Sequence, residues 1–176
     1  MEQKGLVHLY TGDGKGKTTA AVGLTVRAAG RGKRVVFCQF LKNNQTGELK
    51  VLQRLEEVTV ITDYPVQGFT RSMTSQQLEQ TRTEQQEKWK KATALAVEQK
   101  ASVLVLDELM AAIGGGFVPL DWVVSFLQQR PDHLEVVMTG RNPPLELIEC
   151  CDYHSEIQAR RHPYEKGILA REGIEY

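Results

Sequence analysis

The residues best suited to chemistry form one glycine-rich run near the start of the chain. Residues 11–19 read Thr-Gly-Asp-Gly-Lys-Gly-Lys-Thr-Thr and follow an apolar stretch that ends at Tyr10. Glycines let consecutive backbone N–H groups curl around phosphate oxygens, and a helix that begins there adds the positive end of its dipole. The pattern therefore predicts a phosphate-binding loop, or P-loop, with nucleotide contacts from Gly12, Asp13, Gly14, Lys15, Gly16, Lys17, Thr18 and Thr19.

Two side chains of this run have distinct expected roles. Lys17 brings a mobile positive charge to the phosphates, and the Thr18 hydroxyl is placed to ligate Mg²⁺ or Mn²⁺. The usual P-loop pattern has glycine where this chain has Thr11, so the match of the bare string is imperfect. The alternative interpretation is a glycine-rich turn between a strand and a helix.

A pair of carboxylates follows a second apolar stretch. Residues 101–108 read Ala-Ser-Val-Leu-Val-Leu-Asp-Glu, which is the Walker B pattern of a strand that ends in acidic residues. In a P-loop fold this strand end faces the phosphate loop, where a carboxylate holds Mg²⁺ directly or through water. Spacing does not decide whether Asp107 or Glu108 contacts the metal, and a solvated acidic strand end is the alternative.

A third strand candidate ends in an arginine. Residues 136–141 read Val-Val-Met-Thr-Gly-Arg. Because parallel strands share an orientation and ligands gather at their carboxyl ends, Arg141 is a candidate for contact with a phosphate or the nucleotide. An ordinary surface arginine is the alternative.

These side chains need a scaffold, and the pattern of apolar residues predicts one. Continuous apolar runs of strand length occur at residues 6–10, 35–41, 58–61, 103–106 and 136–138, as expected for parallel strands covered on both faces. Helices are predicted between them: an alanine-rich one over residues 17–29, and a long polar one that a capping box opens at residues 74–77 and that ends near Lys100. Two more are predicted to open with Pro119 and Pro144.

The alternation of strands and helices predicts an α/β fold with a mainly parallel sheet and helices on both faces. Residues 1–176 are expected to form a single P-loop nucleotide-binding domain, since no repeat or linker interrupts them. Residues 42–50 and 62–73 fit neither strand nor helix. The inward-facing positions of the long helix are predicted to be Leu78, Trp89, Ala92 and Ala96. The helices that open with Pro119 and Pro144 are predicted to carry the apolar residues Trp122, Val123, Phe126, Leu127, Leu145, Leu147 and Ile148.

Composition excludes several classes of protein. The 176 residues include 22 Lys and Arg against 22 Asp and Glu, which argues against non-specific binding of nucleic acid. No apolar run approaches the roughly 20 residues that span a bilayer, and no signal peptide is evident, so we expect a cytoplasmic protein without membrane attachment. The three cysteines are expected to be reduced, and the four histidines have no metal-ligand spacing.

Taken together, these motifs resemble one known family, the P-loop ATP:corrinoid adenosyltransferases, also called cob(I)alamin adenosyltransferases. The phosphate loop of that family itself reads G-x-G-K-G-K-T-T, so the departure at Thr11 supports the resemblance. The resemblance covers most of the chain and rests on residues 11–21, 39–42, 68–70, 105–109, 139–141, 161–168 and 173–176.

The resemblance implies a RecA-like P-loop fold, commonly a homodimer, that binds ATP and a divalent metal beside a reduced corrinoid. Such enzymes transfer the 5′-deoxyadenosyl group of ATP to Co(I) and release inorganic triphosphate, in adenosylcobalamin synthesis or corrinoid salvage. The implied catalytic residues are Lys17, Thr18 and Glu108. The implied partners are ATP, the corrinoid and a reductase, such as a flavoprotein, that supplies electrons to cobalt.

One segment departs from the family pattern. The corrinoid-handling loop of the family usually reads G-F-T-W, whereas here Phe69 is present and Arg71 replaces the tryptophan. The resemblance implies that Phe69 contacts the corrin face, with a role in the core as the alternative. Two other functions remain open: an ordinary ATPase or kinase with Glu108 as general base, and a non-catalytic nucleotide-gated module that binds a corrinoid.

Overall fold

Six parallel strands form the central sheet of the protein. The structure is a computed structural model that describes residues 4–66, 68 and 70–176. The sheet order is β3-β2-β4-β5-β1-β6, and each neighbouring pair is parallel. The strands are β1 (Val7–Thr11), β2 (Val35–Gln39), β3 (Val58–Ile61), β4 (Val103–Asp107), β5 (Glu135–Thr139) and β6 (Tyr153–Glu156).

Helices cover both faces of this sheet, as the sequence predicts. Alternate residues of β2 and β4 belong to two separate apolar clusters, one on each face. The first cluster joins them to α3 through α6, and the second joins them to α1 and α2. The helices are α1 (Lys17–Ala29), α2 (Gly47–Leu52), α3 (Ser75–Glu98), α4 (Leu109–Gly114), α5 (Leu120–Gln129) and α6 (Leu145–Cys150).

The long helix α3 begins where its capping box predicts. Thr74 is the N-cap: its side chain accepts a hydrogen bond from the Gln77 backbone, and the Gln77 side chain accepts one from the Thr74 backbone at 2.8 Å. Trp89, Ala92 and Ala96 are buried as predicted. The same face also buries polar side chains that the pattern does not predict, which are Thr81, Gln85 and Lys88.

Several local features differ from the sequence predictions. Residues 42–50, left unassigned, contain the start of α2, and residues 62–73 contain a 3-10 turn at Thr70–Ser72. The short helix α4 and the strand β6 were not predicted, because α4 has only six residues and β6 is an exposed edge strand of polar sequence. Pro119 and Pro144 directly precede their helices as N-caps.

All three cysteines are free. Cys38 lies fully within the sheet, and burial raises the pKa of its thiol to about 12, which makes it unreactive at neutral pH. Among the residues described, no helix combines the length and the apolar character that crossing a bilayer requires.

Candidate active site

The glycine-rich loop connects β1 to α1, as predicted, and its first position explains the departure from the usual pattern. Thr11 is the last residue of β1, and its hydroxyl oxygen lies 2.8 Å from Nε2 of His154 in β6. The turn itself starts at Gly12, whose φ is +98°. A Cβ atom at Gly12 would lie 2.3 Å from the Ile157 carbonyl oxygen, so only glycine fits there.

Lys17 lies inside the loop. Its Nζ donates a hydrogen bond to the Gly14 carbonyl at 2.8 Å, and the side chain is largely buried. Burial and the nearby Arg141 lower the pKa of Lys17, whereas the carboxylates of Glu108, Asp13 and Asp107 raise it. The lysine is therefore held among charges of both signs at the place where phosphate oxygens are expected.

Asp107 is the carboxylate that the structure joins to the loop. Thr18 at the start of α1 donates its hydroxyl to Asp107 Oδ1 at 2.9 Å, although 89 residues separate the two. Thr139, the last residue of β5, donates to the same oxygen at 2.6 Å. Burial raises the pKa of Asp107, and the hydrogen bonds from Thr139 and Thr18 oppose that rise. Two of the three predicted metal ligands, Thr18 and Asp107, are thus in direct contact.

Glu108 occupies a different position from Asp107. It is the N-cap of α4, with a φ of +59° that side-chain-bearing residues seldom adopt. Its backbone N–H donates to Thr139 Oγ1 at 2.9 Å, and a close approach of β5 to α4 at Gly140 leaves no room there for a Cβ atom. Glu108 lies in the wall of two cavities.

Gln39 is a polar residue of this site that has no predicted role. It is buried at the end of β2, beside Asp107 in the sheet register. Its Nε2 donates to Asp107 Oδ2 at 3.1 Å and to Glu48 of α2 at 2.8 Å, and its Oε1 accepts from Thr46 at 3.1 Å. A glutamine that ends an otherwise apolar strand is the sequence signal that could have found it.

The segment after β6 holds the outer side of the loop. Ile157 accepts a hydrogen bond from the Gly14 N–H at 2.8 Å. The Ala159 N–H donates to Asp13 Oδ1 at 3.1 Å and keeps the pKa of that carboxyl below its usual range. Arg141 donates to the Asp13 carbonyl at 3.3 Å, so it lies at the loop as its strand position predicts.

Two adjoining cavities open at this edge of the sheet. The first, of about 650 Å³, is called the loop cavity here and is lined by residues 13–19 of the phosphate loop together with Arg141 and Glu108. Gly12 is outside that lining. The second, of about 1100 Å³, is called the large cavity and includes Phe40, Leu41, Val66 and Gly68. The walls that the cavities share contain Lys42, Thr46, Gly47, Glu108, Gly173 and Tyr176.

The donor set suits a metal ion that arrives with a nucleotide. Within residues 4–66, 68 and 70–176, no three His, Cys, Asp or Glu side chains cluster so as to hold a metal by themselves. Mg²⁺ is commonly bound through one or two carboxylates together with substrate phosphates and water. The contact between the Thr18 hydroxyl and the buried Asp107 carboxylate fits that mode of binding.

The corrinoid-handling loop is only partly described. Phe69 lies outside the described residues. Gly68, next to it, lies in the wall of the large cavity, and Arg71 is exposed in the 3-10 turn.

A parallel sheet with a glycine loop after β1 and acidic residues after β4 defines a P-loop nucleotide-binding protein. The strand order, with β5 between the loop strand and the Walker B strand, accords with this class. Among solved structures, EssC (ATPases 2 and 3) from Geobacillus thermodenitrificans is similar, with a TM-score of 0.50 and 13% identity over 97% of this chain. The match covers 36% of the EssC chain, and at this identity it supports the fold alone.

Sequence comparison identifies the family. The model of the ATP:corrinoid adenosyltransferases BtuR/CobO/CobP matches residues 3–176. The corrinoid adenosyltransferase of Escherichia coli K12 and the corrinoid adenosyltransferase CobA of Salmonella typhimurium are each 34% identical, over 100% of this chain and 88% of theirs. The corrinoid adenosyltransferase of Pseudomonas aeruginosa is 33% identical over 99% of this chain and 85% of its own. The chain belongs to the ATP:corrinoid adenosyltransferase family and is therefore a transferase.

Proposed function

We propose that the protein transfers the 5′-deoxyadenosyl group of ATP to the Co(I) of a reduced corrinoid, with the triphosphate in the loop cavity and the corrinoid in the large cavity. The observation that carries this assignment is the shared wall of the two cavities, to which Glu108 and Lys42 belong. A substrate on each side of that wall would bring its reacting atom close to the other.

The reaction needs no nucleophile or general base from the protein. The electron pair of Co(I) attacks C5′, the cobalt–carbon bond forms, and the C5′–O5′ bond breaks so that its electrons leave with the triphosphate. No proton has to be removed from the nucleophile. The work of the protein is to hold C5′ in line with cobalt and to stabilise negative charge on the leaving group.

The loop residues are assigned to stabilise the negative charge of the triphosphate. Lys17 and the loop residues line the loop cavity, where we place the triphosphate, and we assign Thr18 with Asp107 or Glu108 to the metal. A bound Mg²⁺ or Mn²⁺ would neutralise charge on the triphosphate. The buried Thr139 and Gln39 orient Asp107, because each donates a hydrogen bond to its carboxylate.

The products of the reaction test this function. The purified protein, incubated with ATP, Mg²⁺ and chemically reduced corrinoid, is expected to yield a light-sensitive alkyl-cobalt product and triphosphate in equal amounts. An ordinary ATPase or kinase would instead cleave between the β and γ phosphates, and a non-catalytic module would bind both ligands without turnover. Either of those results would overturn the proposal.

A homodimer and an electron-donating reductase belong to the same proposal. Large apolar side chains are exposed in the C-terminal part of the chain, which is the kind of surface that subunit contacts cover.

A further inference from the structure

The wall of the large cavity is built from two chain segments with unusual backbone conformations. Leu41, in the segment after β2, has a φ of +51°, and Tyr64, in the segment after β3, has a φ of +54°. Both values lie in the left-handed region, which costs free energy for residues with a Cβ atom. Such conformations persist only where the surrounding structure holds them.

One buried side chain holds both residues. Gln85 projects from α3 and is fully buried. Its Oε1 accepts a hydrogen bond from the Leu41 N–H at 3.1 Å, and its Nε2 donates to the Tyr64 carbonyl at 3.4 Å. The oxygen and the nitrogen of a single amide group therefore bind a left-handed residue in each of the two segments.

Lys88, three residues further along α3, adds a third attachment. Its Nζ donates to the Gln39 carbonyl at 3.1 Å, at the end of β2 where the first segment begins. Lys88 is fully buried, and none of the ion pairs found among the described residues includes it. Lysine is rarely buried completely without a carboxylate partner, so its place under this strand end requires an explanation.

The two segments are also joined to each other. The Val66 N–H donates to the Lys42 carbonyl at 2.9 Å, and Asn44 Nδ2 donates to the Thr62 carbonyl at 2.6 Å. Leu41, Lys42 and Val66 line the large cavity. A shift of either segment would consequently change the shape of the cavity wall.

We propose that Gln85 and Lys88 are positioning residues that set the shape of the corrinoid site from beneath, without contacting the substrate. Neither side chain lines the loop cavity or the large cavity. This inference rests on the proposed function, because it assigns the large cavity to the corrinoid. Its consequence is selective: loss of either residue should weaken corrinoid binding far more than ATP binding.

The first test replaces Gln85 by methionine, which keeps the volume and removes both hydrogen bonds. We expect KM for the corrinoid to rise about tenfold or more, while KM for ATP stays within roughly twofold, since two partly buried backbone groups lose their partner. Gln80→Met is the matched control, because Gln80 is exposed on the same helix and its side chain donates to Glu84 one turn away. Equal changes in both KM values, or no change in either, would overturn the proposal.

A rescue experiment separates positioning from general damage to the fold. Tyr64 is 39% exposed and lines neither cavity, and glycine adopts its φ without strain. Tyr64→Gly should therefore reduce the corrinoid defect of Gln85→Met in the double variant by at least threefold, even if the melting temperature falls. A double variant with the same defect as Gln85→Met alone would contradict the positioning role of Gln85.

The hydrogen bond from Lys88 to the Gln39 carbonyl is tested in the same way. Lys88→Met should show the same selective rise in KM for the corrinoid, and Lys90→Met, an exposed lysine on the same helix, should not. Corrinoid and ATP dissociation constants, measured separately by equilibrium dialysis, report the same selectivity without turnover. A wild-type protein that binds the corrinoid but forms no alkyl-cobalt product would refute the proposed function, whereas unselective variants of an active enzyme would refute the positioning role.

Discussion

Lys17 is the single side chain on which use of ATP should depend most. It lies in the loop, and its charge interacts with those of Arg141, Glu108, Asp13 and Asp107. Lys17→Ala should reduce kcat/KM for ATP by at least about a hundredfold, because one ordered donor to developing charge is worth about 3 kcal/mol. Steady-state kinetics with the exposed Lys33→Ala variant as control would check this. A Lys17→Ala enzyme within fivefold of wild type would show that the loop does not cradle the phosphates.

A substitution at Glu108 can distinguish a metal ligand from a general base. Co(I) carries no proton, so an adenosyltransferase gains nothing from a base at this position, whereas a base in an ATPase is typically worth about 10² to 10⁴ in rate. Glu108→Gln should give a defect that excess Mg²⁺ or Mn²⁺ partly restores, together with weaker binding of Mn²⁺ to the ATP complex by electron paramagnetic resonance. A defect that persists at saturating metal, with normal affinity for Mn²⁺, would remove Glu108 from the metal site.

At the scale of elements, continuous apolar runs allowed five strands and the long helices to be predicted. Burial on both faces leaves a strong sequence signal in β2 and β4, and the capping box marks the start of α3. Strand β6 has no such signal, because an exposed edge strand needs no apolar face. The short helices α2 and α4 bury apolar side chains in the core, and six residues are too few for local propensity alone to form a stable helix.

The candidate site also contains residues with a local sequence signal and residues whose roles depend on tertiary contacts. Loop glycines and strand-end carboxylates follow from the chemistry of phosphate binding, and so they could be predicted from spacing. The roles of Gln39, Thr139 and Gln85 could not, since each depends on a partner brought close by the strand order or by a loop conformation. Spacing likewise did not decide between Asp107 and Glu108, and the structure places Asp107 in contact with Thr18.

The buried Lys88 of α3 should affect how the free energy of unfolding depends on pH. Burial lowers the pKa of Lys88 from 10.5, and Cys38, Asp63 and Glu84 only partly offset this. Between the folded and unfolded pKa values the unfolded state binds more protons, so stability rises with pH in that window. From pH 7 to pH 10, wild type should therefore gain urea resistance relative to Lys88→Met. Parallel profiles for the two proteins, or an equal difference for Lys90→Met, would contradict this.

For the whole molecule, we expect the exposed apolar residues of the C-terminal part to take part in a subunit contact. Leu145, Tyr164 and Leu169 are 65%, 71% and 73% exposed, and in sequence they lie before and after the edge strand β6. A second copy of the chain that covered such side chains would remove apolar surface from water. We expect a homodimer in sedimentation equilibrium experiments and weaker association for Leu169→Glu, with the exposed Lys33→Glu as control. A wild-type protein that stays monomeric at high micromolar concentration would exclude the dimer.

The C-terminal residues connect the phosphate loop to both cavities. Lys15 Nζ donates to the Ile174 carbonyl at 2.7 Å and lies 3.7 Å from Glu175, which also pairs with Arg171. These contacts occupy a loop lysine that the triphosphate is expected to engage. We therefore expect ATP to compete with Glu175 for Lys15.

Glu175→Gln should consequently lower KM for ATP by about two- to fivefold at low salt, the range of an exposed ion pair, and the gain should shrink as salt is added. The Arg171 hydrogen bonds hold the pKa of Glu175 at about 2, against 4.5 for a free side chain. The carboxylate pairing is complete above the higher value and is lost only as pH falls through the lower one. The difference between the two proteins should thus be constant from pH 6 to pH 9, and an unchanged or higher KM for ATP in Glu175→Gln would show that Glu175 does not compete for the loop.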